Sequence, residues 1–223
     1  MQVEYSRTRT VLLSFIGGYV DTLGFIALFG LFTAHITGNF VLIGSMIVHP
    51  ASGVILKLFA FPAFVISVAC TRLIVLNYDR RQRSPLRVLY AVEAMLLLAF
   101  MLVGLSGEPI QSDTDLAPII AGILGAAAMG MQQTASGKTI FLQVPTTVMT
   151  GNVTNLIIDV VDIFHSKNDK LKAQSLERAR KLLPAVLAFA FGATCAGVAY
   201  SMAAFWALCL PIVILVWLAI KSL

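Results

Sequence analysis

Asp21 stands inside an apolar run, 12 residues after Arg9. At ~1.5 Å per helical residue it lies ~18 Å along, near the middle of a ~30 Å hydrocarbon layer. A carboxylate at that depth is costly unless it is paired, hydrated or protonated. Two chemistries suit it. One is proton or ion coupling to the passage of a solute; the other is a structural acid bonded to Gln132 or Gln133. A second concentration of polar groups occurs twice: Thr33 and the triplet Thr37, Gly38, Asn39 reappear as Thr146 and Thr150, Gly151, Asn152, with Thr147 alongside. Hydroxyls and carboxamides bind without carrying charge, and each Gly lets another backbone come close. Placed with the free N–H groups of a helix start, such a set accepts an anion or the carboxylate of a small solute. As a purely structural device, the same triplet is a tight capped turn between packed helices.

The chain around these residues belongs in a membrane. Of its 223 residues, 58% are apolar and 12% charged, against roughly 25% charged in a soluble domain. Apolar runs long enough to cross a bilayer cover 10–30, 54–71, 88–107, 116–137, 182–203 and 204–220, while 37–49 and 150–163 are too short to span comfortably. The lipid bilayer is therefore an expected partner. The net charge of +5 is no sign of nucleic-acid binding, because it is gathered in a few places. Cys70, Cys195 and Cys209 form no CxxC or Cys/His cluster and are expected to be buried thiols. The chain also contains no P-loop, HExxH or GxSxG motif. An enzyme is not expected, nor is a cofactor or a metal.

Thirteen of the 16 Lys and Arg fall at Arg7 and Arg9, between Arg72 and Arg87, and between Lys167 and Lys181. The positive-inside rule puts all three groups in the cytoplasm, whereas the acidic connection 106–118 belongs outside. Residues 165–181 read as a solvated linker, or as a surface helix on anionic lipid. Starting inside, residues 10–49 must make one net crossing, because 54–71 has to return to the Arg-rich loop. The same sum applies to 116–163. Each short run then enters and leaves on one side, which gives six crossings, two re-entrant segments and both termini inside.

An offset of 113 residues superimposes Gly17 on Gly130, Thr33 on Thr146 and the two TGN triplets, and a further insertion of nine pairs Pro62 with Pro184. This is an internal duplication. The predicted fold is all-α and polytopic: one membrane domain, 1–223, made of repeats 1–107 and 116–223. Each repeat holds three spanning helices and one short re-entrant half-helix, so the second is inverted relative to the first. Thr37 and Thr150 are expected to cap the two half-helices, whose N-termini would meet at mid-depth. Small residues at spacing four, Ser14/Gly18/Thr22, Gly122/Ala126/Gly130 and Ala188/Gly192/Ala196, suit close helix packing. His35 is open to two roles, a pH-sensitive gate or a hydrogen-bonded filler. Asp159 and Asp162 are expected to meet solvent beside the basic loop.

The run GYVDTLGFIALFGLFTAHITGNFVLIG at 18–44, with AMGMQQ at 128–133 and TTVMTGNVTNL at 146–156, resembles the YoaK family of bacterial inner-membrane proteins. The resemblance covers nearly the whole chain. It implies a compact multi-spanning protein of the bacterial cytoplasmic membrane, and it implies no activity. From the residues themselves, the expected function is a small secondary transporter or channel-like carrier for a small, anionic solute. The substrate-binding set is Thr33, Thr37, Gly38, Asn39, Thr146, Thr147, Thr150, Gly151 and Asn152, with coupling through Asp21, Gln132 and Gln133. The alternative is a non-transporting membrane scaffold or regulatory subunit. A small molecule or ion is the expected ligand, and a homodimer is compatible with the sequence.

Overall fold

The computed structural model describes residues 6–136 and 144–222, and every regular element among them is helical. They are α1 (Arg7–Ala27), α2 (Ile36–Met46), α3 (Val54–Arg80), α4 (Leu86–Ser106), α5 (Leu116–Ser136), α6 (Met149–His165), α7 (Asp169–Ala203), a 3₁₀ turn (Ala204–Leu208) and α8 (Cys209–Lys221). Two starts carry side-chain caps. Ser6 Oγ accepts from Arg9 N at 3.4 Å, and Asn168 Oδ1 from Lys170 N and Leu171 N at 3.0 and 3.3 Å. α1, α3, α4 and α5 are long and apolar enough to cross a membrane, as is the stretch Asp169–Lys221.

Three boundaries differ from expectation. The basic segment is neither a linker nor a separate surface helix: Asp169 begins α7, which runs on without interruption through Pro184 to Ala203. A helix already fixed by tertiary packing over its apolar two-thirds extends into water at little further cost, since propagation is easier than nucleation. α3 likewise continues through Arg72 to Arg80. The short segments are α2, with 11 residues, and α6, with 17. The run 116–137 ends one residue outside the described residues. Cys70 and Cys209 are exposed rather than buried, and Cys195 is half-buried.

α1 and α5 are the most enclosed spans. α1 lies along α7, and α5 along α3 and α4; α4 also packs on α8, α2 on α3, and α6 on α7. The α1/α7 contact brings backbone against backbone. A Cβ built on Gly18 would stand 2.1 Å from the Phe189 carbonyl oxygen, and one on Gly192 2.2 Å from that of Phe15. At the α5/α3 crossing, a Cβ on Gly130 would be 2.9 Å from the Phe64 carbonyl oxygen. The small-residue spacing thus serves close approach, as such residues do between helices in lipid.

One end of the molecule is fastened by a lysine that hydropathy conceals. Lys57, on the first turn of α3, is 1% exposed and donates to the carbonyl oxygens of Phe29 at 2.8 Å and Gly53 at 3.2 Å. Gly53 N in turn donates to Asp113 Oδ2. The turn after α1, the start of α3 and the acidic connection before α5 therefore meet at one end. Gly53 has φ +99°, and a Cβ there would lie 2.6 Å from the Phe29 oxygen.

Candidate functional site

After α1 the chain reverses at Phe29 and Gly30, both with positive φ. It then comes back alongside the helix it has just left. Asp21 holds this returning segment. Its Oδ1 accepts from Ala34 N at 2.7 Å, His35 N at 3.4 Å and Thr33 Oγ1 at 3.5 Å, and its Oδ2 meets His35 Nδ1 at 2.6 Å. Asp21 is 4% exposed, so these partners replace the water that a carboxylate loses on burial. The sequence considered Gln132 and Gln133 as partners, but both are engaged elsewhere. Gln132 Nε2 donates to the Leu13 carbonyl oxygen at 2.8 Å and to Thr146 Oγ1 at 3.0 Å, and Thr147 Oγ1 donates to Gln133 Oε1 at 3.1 Å. Asp21 and the glutamines thus hold one motif each.

The two triplets share a local geometry. Asn39 Nδ2 donates back to the Phe32 carbonyl oxygen at 2.8 Å, and Asn152 Nδ2 to that of Pro145 at 2.7 Å. Both bonds reach seven residues back, and both close the turn that feeds a helix. The residues preceding the helices are His35 and Val148, and neither start has a side-chain cap. Thr37 and Thr150 are therefore not the N-caps expected of them. They sit one residue inside the first turn, exposed, because the Asn back-bond sets the start one position earlier.

Between these two helix starts lies a cavity of about 420 Å³. Its walls bring Ala34, His35, Ile36 and Thr37 from the first motif opposite Thr147, Val148, Met149 and Thr150 from the second, with Gln133 between them. Phe61, Phe64 and Val65 of α3 give it an apolar side. Of the expected binding residues, Thr37, Thr147 and Thr150 reach this wall, and so does Gln133. Thr33 and Thr146 are buried in the networks beneath, Gly38 packs on the Phe32 ring, and Gly151 is exposed. Asn39 and Asn152 act on the backbone and do not line the cavity. His35 joins the two parts of the site, since its ring bonds Asp21 and also lines the wall. Sequence reading offered His35 as a gate or a hydrogen-bonded filler but did not pair it with Asp21. The signal was present only as an acid and a His 14 residues apart, with a Phe-Gly reversal between them.

Of the two acids expected to meet solvent, Asp162 is partly exposed and Asp159 is buried. Asp159 is 1% exposed and accepts from Arg178 Nε at 2.9 Å and also from Arg178 Nη2. Asp162 Oδ2 accepts from Ser175 Oγ at 3.4 Å. These contacts tie α6 to the basic start of α7. Among the described residues, no group of His, Cys, Asp and Glu is placed to hold a metal ion.

Apolar helices of spanning length, with most charged groups at their ends or in pairs and Glu93 buried within α4, define a multi-pass helical membrane protein. Residues 10–221 match the family described as "Protein of unknown function (DUF1275)", and the chain belongs to that family. Over 170 residues it is 29% identical to the UPF0700 transmembrane protein YoaK of Bacillus subtilis (strain 168), covering 74% of this chain and 72% of that one. No solved structure matches it.

Proposed function

We propose that the protein is a small secondary carrier for an anionic solute, held between the starts of α2 and α6. The observation that carries this reading is the cavity whose opposite walls are the two copies of one duplicated motif. Uncapped helix starts direct N–H groups and the positive ends of two helix dipoles toward it, which favours an anion without a fixed cation. The inverted-repeat plan is supported by the exchange of partners between halves, α1 with α7 and α5 with α3. It is also supported by helix starts at Ile36 and Met149, which differ by the offset of 113 that relates the motifs. Re-entry of α2 is supported by two contacts, Thr33 and Ala34 against Asp21 mid-way along α1, and the Phe29 turn against Lys57 at its end.

Asp21 and His35 give the carrier a proton site. With His35 protonated the pair is neutral; with His35 neutral it carries one negative charge beside the cavity. An anion therefore binds the protonated form better, and binding brings up to one proton with it. Affinity should rise as pH falls through the protonation of His35, and this dependence should vanish in His35→Gln.

The test is thermal unfolding of the purified protein against inorganic anions and small carboxylates. At least one anion should raise the midpoint. Thr37→Val and Thr150→Val, which alter exposed hydroxyls, should fold normally and lose about tenfold in apparent affinity, the worth of one good hydrogen bond to an anion. A panel without any stabilising anion, or variants that keep the full response, would leave the scaffold reading in its place.

The proposed location is the bacterial cytoplasmic membrane with both termini inside. Ser52→Cys, in a background where Cys70, Cys195 and Cys209 are replaced, should react with an impermeant thiol reagent from outside only. Reaction from the cytoplasm would require α2 to cross the membrane and would end the re-entrant reading.

A further inference from the structure

A second cavity, of about 380 Å³, lies between α6 and the basic start of α7. Its lining shares no residue with that of the cavity between the motifs, and nothing proposed for that cavity bears on it. Along α6 its wall carries Asn152, Asn155 and Asp159, one side chain per turn. Arg178 and Lys181 supply it from α7.

This wall has hydrogen-bond acceptors left over. Asn39, in the first motif, uses its whole carboxamide on Phe32, because Phe32 N donates to its Oδ1 at 2.9 Å while Nδ2 reaches the Phe32 oxygen. Asn152 occupies the matching place, yet residue 145 is proline and has no N–H to give. Its Oδ1 thus has no donor among the described residues, although Asn152 is only 2% exposed. Asp159 shows the same asymmetry: Oδ1 takes both Arg178 bonds, and Oδ2 is buried without a partner. Asp159 Oδ2, a buried acceptor left without a donor, costs on the order of 1–3 kcal/mol, and Asn152 Oδ1, which keeps some exposure, is free to accept, so both oxygens favour a ligand that brings N–H groups. The charges on α7 constrain it further. Arg178 is paired with Asp159, and Lys181 Nζ with Glu177 at 2.7 Å, so the pocket has little net charge to attract a simple ion.

We infer that this cavity binds an amino-acid-like zwitterion. Its ammonium donates to the oxygens of Asn152 and Asp159, and its carboxylate lies toward the Arg178 and Lys181 side. A primary ammonium has three donors, which is enough for both orphan oxygens and the Asn155 carboxamide. In α2 the positions matching Asn155 and Asp159 are Leu42 and Met46, so only the second half of the chain has such a wall.

The experiment is thermal unfolding of the full-length protein in detergent with three probe sets: free α-amino acids, their N-trimethylated betaines, and the same acids N-acetylated. At least one free amino acid should raise the midpoint, while its betaine, with no N–H donor, and its N-acetyl form, with no ammonium, should not. Pro145→Ala returns a backbone N–H to Asn152, and Asn155→Leu removes an exposed carboxamide. Each should fold like the parent and weaken the response about tenfold. The inference is overturned if no free amino acid stabilises the protein, if betaines do so equally, or if both variants keep the full response. A response lost in Pro145→Ala and Asn155→Leu but kept in Thr37→Val and Thr150→Val belongs to this cavity, and the opposite pattern belongs to the cavity between the motifs, so the carrier proposal stands or falls separately.

Discussion

Gly18→Ala should lower the stability of the purified protein by about 3 kcal/mol or more, and Gly192→Ala should do the same. The added methyl has no acceptable position in either case, being 2.1 Å from the Phe189 oxygen or 2.2 Å from the Phe15 oxygen. Those atoms are backbone, held by helical hydrogen bonds, so relief requires α1 and α7 to move apart along much of their length. The packing lost then exceeds the volume added, because dispersion falls steeply with a small gap. The two substitutions should not add. Once one has separated the helices the other meets open space, so the double variant should resemble the worse single variant. Gly44→Ala is the control: nothing lies within 4 Å of its added Cβ, and alanine suits a helix interior better. It should be neutral or slightly stabilising. Thermal unfolding of the four variants in one detergent measures all of this, and equal behaviour of Gly18→Ala and Gly44→Ala would show that the helices are not in contact.

Asp21→Ala should cost about 3–5 kcal/mol, the range for removing one member of a buried, hydrogen-bonded pair. The alanine would leave Ala34 N and Thr33 Oγ1 without their acceptor and His35 without its carboxylate. Asp21→Asn should retain most of the stability. Its carbonyl oxygen can still accept from Ala34 N, and its amide can donate to His35 Nδ1 in the tautomer that leaves Nδ1 free. The two variants separate structural from functional roles, since asparagine keeps the turn and cannot exchange a proton. Unfolding midpoints should rank parent, Asp21→Asn and Asp21→Ala in that order. Equal midpoints for Asp21→Ala and the parent would mean that the carboxylate does not hold the segment after α1.

Periodic and repeated features were legible in the sequence because they need only local spacing. Apolar length marks the spans, and the 113-residue offset marks two helices that begin at Ile36 and Met149. Features that depend on where the chain turns back were not legible. Asp21 and His35 meet only because Phe29 and Gly30 reverse the chain, and Asp159 meets Arg178 only because α7 starts early. Lys57 escaped notice for a related reason: one cation among apolar neighbours barely alters hydropathy, and its acceptor, the Phe29 carbonyl, lies 28 residues away. The threonines misled because Ser and Thr favour helix caps. Here the asparagines close the turn instead, and Thr37 and Thr150 are left to line the cavity.

The partner exchange between halves also sets the order of assembly. α1 is made early, yet the backbone that Gly18 lies against, at Phe189 of α7, comes 171 residues later. Until that stretch leaves the ribosome, Gly18 has only lipid or a chaperone for company. The first half therefore waits in the bilayer without the main partner of its first helix, and the α1/α7 contact closes only when synthesis is almost finished. A chain truncated before Gly192 would lack more than its last helices, because its first helix would keep only lesser contacts such as the Gln132 bond to Leu13.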